Sequence, residues 1–522
     1  MSGKVFALAA VISTVVASFK EGCDRDSWNS TTDYWQHKFD PNDPYAAFVA
    51  DYHNTFATLR NHAGYTVLHC TDEKPPLSAI GGEKDALYVK VPVQNVAALD
   101  GFSQNLIDML GQSDSIKRVG KYEDVTSACL RGLAYDNKTY DEANWDKAEK
   151  VDVTFYGNGE PNDMSKVLLY PHLNSPLGTL SYIKMISLFY GLEERAEEIY
   201  EAVAANYRCA AANVQDYIMN HDYPEGAFLS FVEKKGDDFV IRAGDYWQIL
   251  ADDAGVRLVN ATNSKLIQDE YEGSYWQINL SKEESEVAKQ SWAIIDTTQY
   301  LASSNAHFSN NGHKGFPDRL NAKTYLEKSG LDGDLYAFKK ENVFLTDKAT
   351  NRNLKHDFND RGAARPDYVL FDLISKIKPE MTKGIYKTNF LRSISNPEDE
   401  TEQLSDASVC YPSDSPIKTL NITKCTLPKW AAGYHSLGVE PNAFNRKQNT
   451  VKSLALRSDS GGLSGGTKAG ISVGAIVGGL LVIGGVITVI LYRRRSVKKT
   501  KEGPDMEKCE EQRKDSQSSS SI

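Results

Sequence analysis

TLSYIKMISLFYGLEERAEEIYEAVAANYRCAAANVQDYIM, residues 179–219, decides how the rest of the chain is read. Leu180, Ile183, Ile186 and Leu188 give way to Ile199, Val203 and Tyr207 at helical spacing. Apolar residues recurring every three or four positions share one face of a helix. Glu193, Glu194, Glu197 and Glu198 then fall on the solvated face. Gly191 aside, the run carries no strong breaker, so residues 179–220 are expected to form one connector helix. A helix of that length placed between two other units acts as a stiff spacer.

On both sides of it, short apolar runs alternate with helical patterns. Residues 64–178 offer strands at 65–68, 86–91, 96–99, 116–119, 151–156 and 167–170, with a helix over 102–110 closed by Gly111. Residues 221–395 repeat the alternation with strands at 228–232, 256–259, 292–296 and 343–346 and helices at 247–254 and 365–377. Strands interleaved with helices predict βαβ units and largely parallel sheets. The expected fold is therefore α/β: two Rossmann-like lobes joined by a single long helix, followed by a C-terminal transmembrane helix.

The flanks set the orientation. Lys4, the apolar run 5–16 and the small residues Ala17 and Ser18 read as a signal peptide over residues 1–18. Residues 19–63, rich in Asp, Asn, Trp and Tyr, read as an N-terminal extension. Residues 396–468 form a cysteine-containing stalk whose Ser/Gly-rich end, 453–466, should behave as a flexible coil. Residues 469–492 are apolar and long enough to cross a bilayer once. Arg493, Arg494, Arg495, Lys498, Lys499 and Lys501 follow, which places the tail, 493–522, in the cytosol. The expected location is the cell membrane, single-pass type I with the ectodomain outside; an endosomal membrane is the alternative.

Other features agree. The five N-glycosylation sequons, at Asn29, Asn137, Asn260, Asn279 and Asn421, all precede the span. Six cysteines also precede it, and Cys410 with Cys425 is the favoured pair because it closes a short loop. A net charge of −11 argues against a nucleic-acid partner. Enzyme signals are poor. Gly462-Leu463-Ser464-Gly465-Gly466 satisfies the nucleophile-elbow pattern, but it lies in the stalk without the strand and helix that the chemistry needs. No HExxH, P-loop or Cys/His cluster indicates a metal or phosphate site, and no cofactor is expected.

Three segments carry a family resemblance. Ser175-Pro176-Leu177-Gly178 with Tyr182-Ile183-Lys184 looks like the start of the connector helix in bacterial periplasmic binding proteins for vitamin B12 and ferric siderophores. Val91-Pro92-Val93-Gln94-Asn95-Val96, running on to Gly111 and residues 116–120, is similar to their first lobe. Arg361-Gly362-Ala363-Ala364-Arg365-Pro366-Asp367-Tyr368-Val369-Leu370, then Lys378-Pro379-Glu380, resembles their closing helix. The resemblance spans residues 64–390. With the signal peptide and anchor, the layout resembles algal cobalamin-acquisition proteins. It implies a solute-binding receptor with ligand held in an interlobe cleft, and a separate transporter or an endocytic adaptor as partner. Cobalamin, as transported ligand, is the first expectation and a ferric siderophore the second. An adhesion or signalling ectodomain without a small-molecule ligand is the other class.

Ligands of α/β lobes bind beyond the carboxyl ends of strands. Candidate ligand-binding residues there are Phe102, Tyr122 and His172 in the first lobe. Tyr246, Trp247, Tyr275, Trp276 and Phe358 are those of the second.

Overall fold

In the computed structural model, the structure describes residues 31–404 apart from 42, 44–45, 62–63, 158–164, 173–174, 221–227, 237, 260–264, 270–272, 279–290, 301–319, 332 and 385; for 238, 265–269 and 273–278 it gives the backbone alone. The stalk, the span at 469–492, Cys410, Cys425 and the sequons other than Asn137 lie outside these residues. Among the described residues no helix is long and apolar enough to cross a membrane.

The first half holds two sheets. β1 (Phe48–Tyr52), β2 (Phe56–Asn61) and β3 (Gly64–His69) form an antiparallel meander, and β4 (Leu87–Lys90) joins β3 in parallel. Part of the expected N-terminal extension thus contributes strands. It is also fastened further along the chain: Ala47 N donates to Ser181 Oγ at 2.7 Å, and Asn61 Nδ2 donates to Leu168 O at 2.7 Å. The second sheet is parallel throughout, in the order β6-β5-β7-β8, with β5 (Val96–Ala98), β6 (Ile116–Arg118), β7 (Val153–Tyr156) and β8 (Val167–Leu168). α1 (Gly101–Met109) follows β5, and α2 (Ala128–Tyr135) packs nearby.

The expected connector is broken. It comprises α3 (Pro176–Leu180), α4 (Tyr182–Tyr190) and α5 (Glu193–Asn220). Gly191, at φ 69°, takes the left-handed conformation that ends a helix, so α4 stops there and a new helix starts. α5 alone is the long element: 28 residues, about 42 Å at 1.5 Å per residue. Ala196, Ile199, Val203, Tyr207, Ala210 and Val214 form its buried stripe. Glu193 corrects the solvated-face reading. It is buried in the first turn of α5, and burial lifts its carboxyl to about 8. Glu194 and Glu198 are exposed as expected.

The second half is built on one eight-stranded sheet. β9 (Phe228–Lys235), β14 (Ser291–Asp296) and β15 (Val343–Leu345) run parallel, with β11 (Arg257–Leu258) pairing the start of β9. The remainder is antiparallel: β10 (Asp238–Arg242), β12 (Lys265–Asp269) and β13 (Gly273–Ile278) extend it by hairpins, and β17 (Arg392–Ser393) edges β15. The sheet is thus mixed, not largely parallel. Adjacent residues on a strand face opposite ways. Phe231, Ile295 and Phe344 accordingly enter the main core under α5, α6 (Asp245–Asp253) and α9 (Pro366–Ile377). Val232, Ile294 and Leu345 enter a second core with residues of α7 (Ala322–Ser329) and α8 (Tyr336–Lys339). α10 (Pro379–Thr382) and the short pair of β16 (Ala349–Thr350) with β18 (Glu402–Gln403) complete the half.

The closing segment is held as its sequence suggests. Arg365 grips Asp367 with two bonds of 2.8 Å, and Asn206 Nδ2 on α5 donates to the same carboxylate at 3.1 Å. Cys70, Cys129 and Cys209 are disulfide-bonded.

Candidate functional site

The registers place the site. In the first half, the carboxyl ends of β5, β6, β7 and β8 lead to Asp100, Tyr122, Gly157 and His172. In the second, Ile241 pairs with Val232, which also pairs with Asp296, the last residue of β14. Ile241 is therefore level with the carboxyl edge of β14, and β10 runs antiparallel from there into Arg242 and α6. This is the edge at which open α/β sheets bind ligands.

His172 meets α6 there. Its ring lies 4.6 Å from that of Tyr246, at 75°, and 5.0 Å from that of Trp247, at 33°. Phe231 backs Trp247 at 4.6 Å. Tyr246 and Trp247 are buried, while His172 is half-buried. The backbone of His172 is at φ 68°, a region that residues other than glycine seldom adopt, and such outliers gather at functional sites. Burial drives its imidazole down to about 3, with Arg242 adding to the fall, so it is neutral at physiological pH. Arg242 is ion-paired with Glu233, which leaves the cluster close to neutral. Burial also raises the Tyr246 phenol, so it keeps its proton. No hydrogen bond within the described protein engages the His172 ring, the Tyr246 hydroxyl or the Trp247 indole N–H. The three rings stack on one another at this edge, and their donors and acceptors are unused among the described residues.

A second contact between the halves lies at the start of α1. Asp100 caps that helix, accepting from Phe102 N at 3.0 Å and Ser103 N at 3.1 Å, and it also accepts from Gly157 N. Against Gly101 lies Asp360, in a π-helical turn over Phe358–Gly362: a Cβ on Gly101 would stand 2.0 Å from the Asp360 Cγ. Only glycine permits this approach. Asp360 is buried, and its Oδ2 has no hydrogen-bond partner among the described residues. Burial lifts its carboxyl to about 8; Asp357 and Asp100 add to the rise, and Lys355 and Thr126 oppose it. Nearby, Asn351 Nδ2 donates to Glu123 O at 2.8 Å and Val125 O at 3.0 Å, and Lys355 lies 4.0 Å from Asp124.

Of the residues singled out from sequence, His172, Tyr246 and Trp247 are brought together. Tyr275 is placed by backbone only, opposite Arg242 on β10, and Trp276 opposite Ile241. Phe102 is buried against Tyr182, with ring centres 6.1 Å apart. Phe358 is buried against Phe390 at 5.9 Å. Tyr122 is half-buried and donates its hydroxyl to Thr139 O. Sequence reading missed Asp360 and Asn351. Asp100-Gly101 was a signal for Asp360, since a glycine directly after a helix cap leaves room for a close approach.

No family model matches the sequence, and no curated protein matches it. Solved structures similar to the chain are periplasmic solute-binding proteins. One from Veillonella parvula has a TM-score of 0.39 at 14% identity, covering 64% of this chain and 98% of that one. A possible iron-binding protein from Staphylococcus epidermidis has a TM-score of 0.37 at 14% identity, with coverage of 55% and 99%. FhuD2 from Staphylococcus aureus, with bound ferrioxamine B, has a TM-score of 0.35 at 14% identity, with coverage of 55% and 100%. Likenesses this distant imply no shared ligand.

Proposed function

We propose that the chain is a membrane-held receptor that captures a small solute between two α/β lobes and performs no chemistry on it. The observation that carries this reading is the meeting of His172, Tyr246 and Trp247 without hydrogen-bond partners among the described residues. A ligand supplies those partners, and its faces replace the stacking the three rings now give one another. The cluster contains no nucleophile held against a base, which favours binding over catalysis.

Cobalamin is the proposed ligand. A large, nearly neutral corrinoid is gripped by aromatic faces with a few polar anchors, which is what the cluster offers. An anionic ferric siderophore would favour unengaged arginines; Arg242 stands beside the cluster, but Glu233 already neutralises it. The bonded cysteines fit an oxidising compartment, consistent with a type I protein anchored by residues 469–492 at the cell surface. Import then falls to a separate transporter or to endocytosis.

The test is a titration of the full chain in detergent with cyanocobalamin, ferrichrome, ferrioxamine B and haem, following tryptophan fluorescence. Saturable quenching by cyanocobalamin is expected. Saturation by ferrichrome alone would move the reading to siderophores. Silence with all of them would contradict the receptor and leave the adhesion or signalling class.

A further inference from the structure

Tyr135, the last residue of α2, is 88% exposed, the most exposed of the large apolar side chains among the described residues. Two residues on stands Asn137, in the sequon Asn137-Lys138-Thr139. Asn137 is exposed and at φ 57°, the left-handed position that closes α2. Asn137 N donates to Ala134 O at 3.1 Å and Lys138 N to Leu133 O at 2.9 Å, the double bond of a Schellman cap. The cap occupies the Asn137 backbone and leaves its side-chain amide unengaged. Asp136 and Lys138 beside it are exposed.

We infer that Asn137 carries an N-linked glycan and that Tyr135 is the platform its first sugar covers. Size argues for a sugar. One tyrosine ring is far too small for a protein partner, which needs roughly 800 Å² on each side, yet it matches one face of a pyranose. The C–H face of a sugar packs on an aromatic ring, and the covalent link holds it there at high effective concentration. In the transfer, the Asn137 Nδ2 forms a bond to C1 of the sugar of a lipid-diphosphate-linked oligosaccharide. The C1–O bond to diphosphate breaks, the lipid diphosphate leaves, and the amide gives up one proton.

The fold also sets when this occurs. The Thr139 hydroxyl, which the transferring enzyme must read, is buried and donates to Ile116 O at 2.7 Å. Transfer therefore precedes closure of this turn, and the finished fold is not a substrate.

The inference rests on the outward orientation proposed above. The full chain is expressed in a secretory eukaryotic host, and glycopeptides are mapped by enzymatic release in heavy-oxygen water. Mass labelling at Asn137 is expected. Labels at Asn29, Asn260, Asn279 or Asn421 without Asn137 would overturn this inference alone; no label anywhere would overturn the orientation with it. The platform is tested by a cycle of Tyr135→Ser and Asn137→Gln, which cancels the backbone cost of Gln at the left-handed position. Losing the glycan should lower Tm by about 1–2 °C more when Tyr135 is present than when it has been replaced by serine. Equal losses in the two backgrounds would overturn the platform role. Protein refolded from bacteria should accept no glycan at Asn137 from purified transferase; acceptance would overturn the proposed order of events.

Discussion

Asp372 and Asp360 are both buried aspartates on the closing segment of the chain, yet their surroundings differ in kind. Asp372, on α9, accepts from Asn389 N at 3.0 Å, Phe390 N at 2.6 Å, Leu391 N at 2.8 Å and the Tyr386 hydroxyl. Asp360, where the two halves meet, has an Oδ2 that accepts from nothing among the described residues. The first ties a loop to a helix, and its bonds hold its carboxyl to about 6 against the rise from burial. The second, with no backbone N–H donors to oppose burial, rises to about 8. The same residue type is thus a structural tie in one place and an unmet demand in the other. The aromatic cluster belongs with Asp360, because its polar tips are also unmet and also lie between the halves.

The largest expected effect is at the satisfied site. Asp372→Ala strands several buried donors at roughly 1 kcal/mol or more each, so a loss of about 3 kcal/mol is expected from urea unfolding. A loss under about 1 kcal/mol would erase the contrast.

Asp360→Asn should do the reverse and stabilise the protein at neutral pH. A carboxyl with a raised folded-state pKa contributes fully below its unfolded value, and the contribution is lost as pH rises through the folded one. From Asp360 alone, stability should fall by up to about 1.4 kcal/mol per unit between about pH 4 and 8. Glu193, also raised to about 8, titrates in the same window, so the reading is the difference in slope between variant and wild type. Equal slopes would show that Asp360 does not titrate there.

His172→Ala should weaken ligand binding about tenfold, the loss of one stacked and hydrogen-bonded contact, while moving stability by less than about 1 kcal/mol. Comparing binding isotherms with melting curves separates the two. Smallest is Asn351→Ala, which removes two bonds between the halves and should cost about 1 kcal/mol. A clearly larger loss would mean that this end of the contact dominates closure.

Much of the architecture was legible before the coordinates. Strands at 96–99, 116–119, 151–156, 292–296 and 343–346 and the helix at 365–377 all reappear within a few residues, because long apolar runs between turn signals read cleanly. The hairpin strands β10, β12 and β13 were missed. Lys265–Asp269 and Asp238–Arg242 are short and half polar, and their antiparallel pairing is decided by neighbours in space. Gly191 is a single residue within an otherwise helical pattern, yet its positive φ divides the connector. At the site, Tyr246-Trp247 stood out as paired aromatics at a strand end. Phe102 and Phe358 looked the same in sequence, and all four are buried. Tyr246 and Trp247, however, meet His172 of the first half, whereas Phe102 and Phe358 pack on Tyr182 and Phe390. Asp360 was illegible, because its burial depends on Gly101, far away in the chain.

The most direct measurement is hydrogen exchange on the full chain with and without the ligand that quenches its fluorescence. Added protection should appear together in the peptide carrying His172 and in the one carrying Tyr246 and Trp247, which lie on opposite sides of α5 in the sequence. Ligand binding that protects only one of these peptides, or neither, would contradict a site shared between the halves.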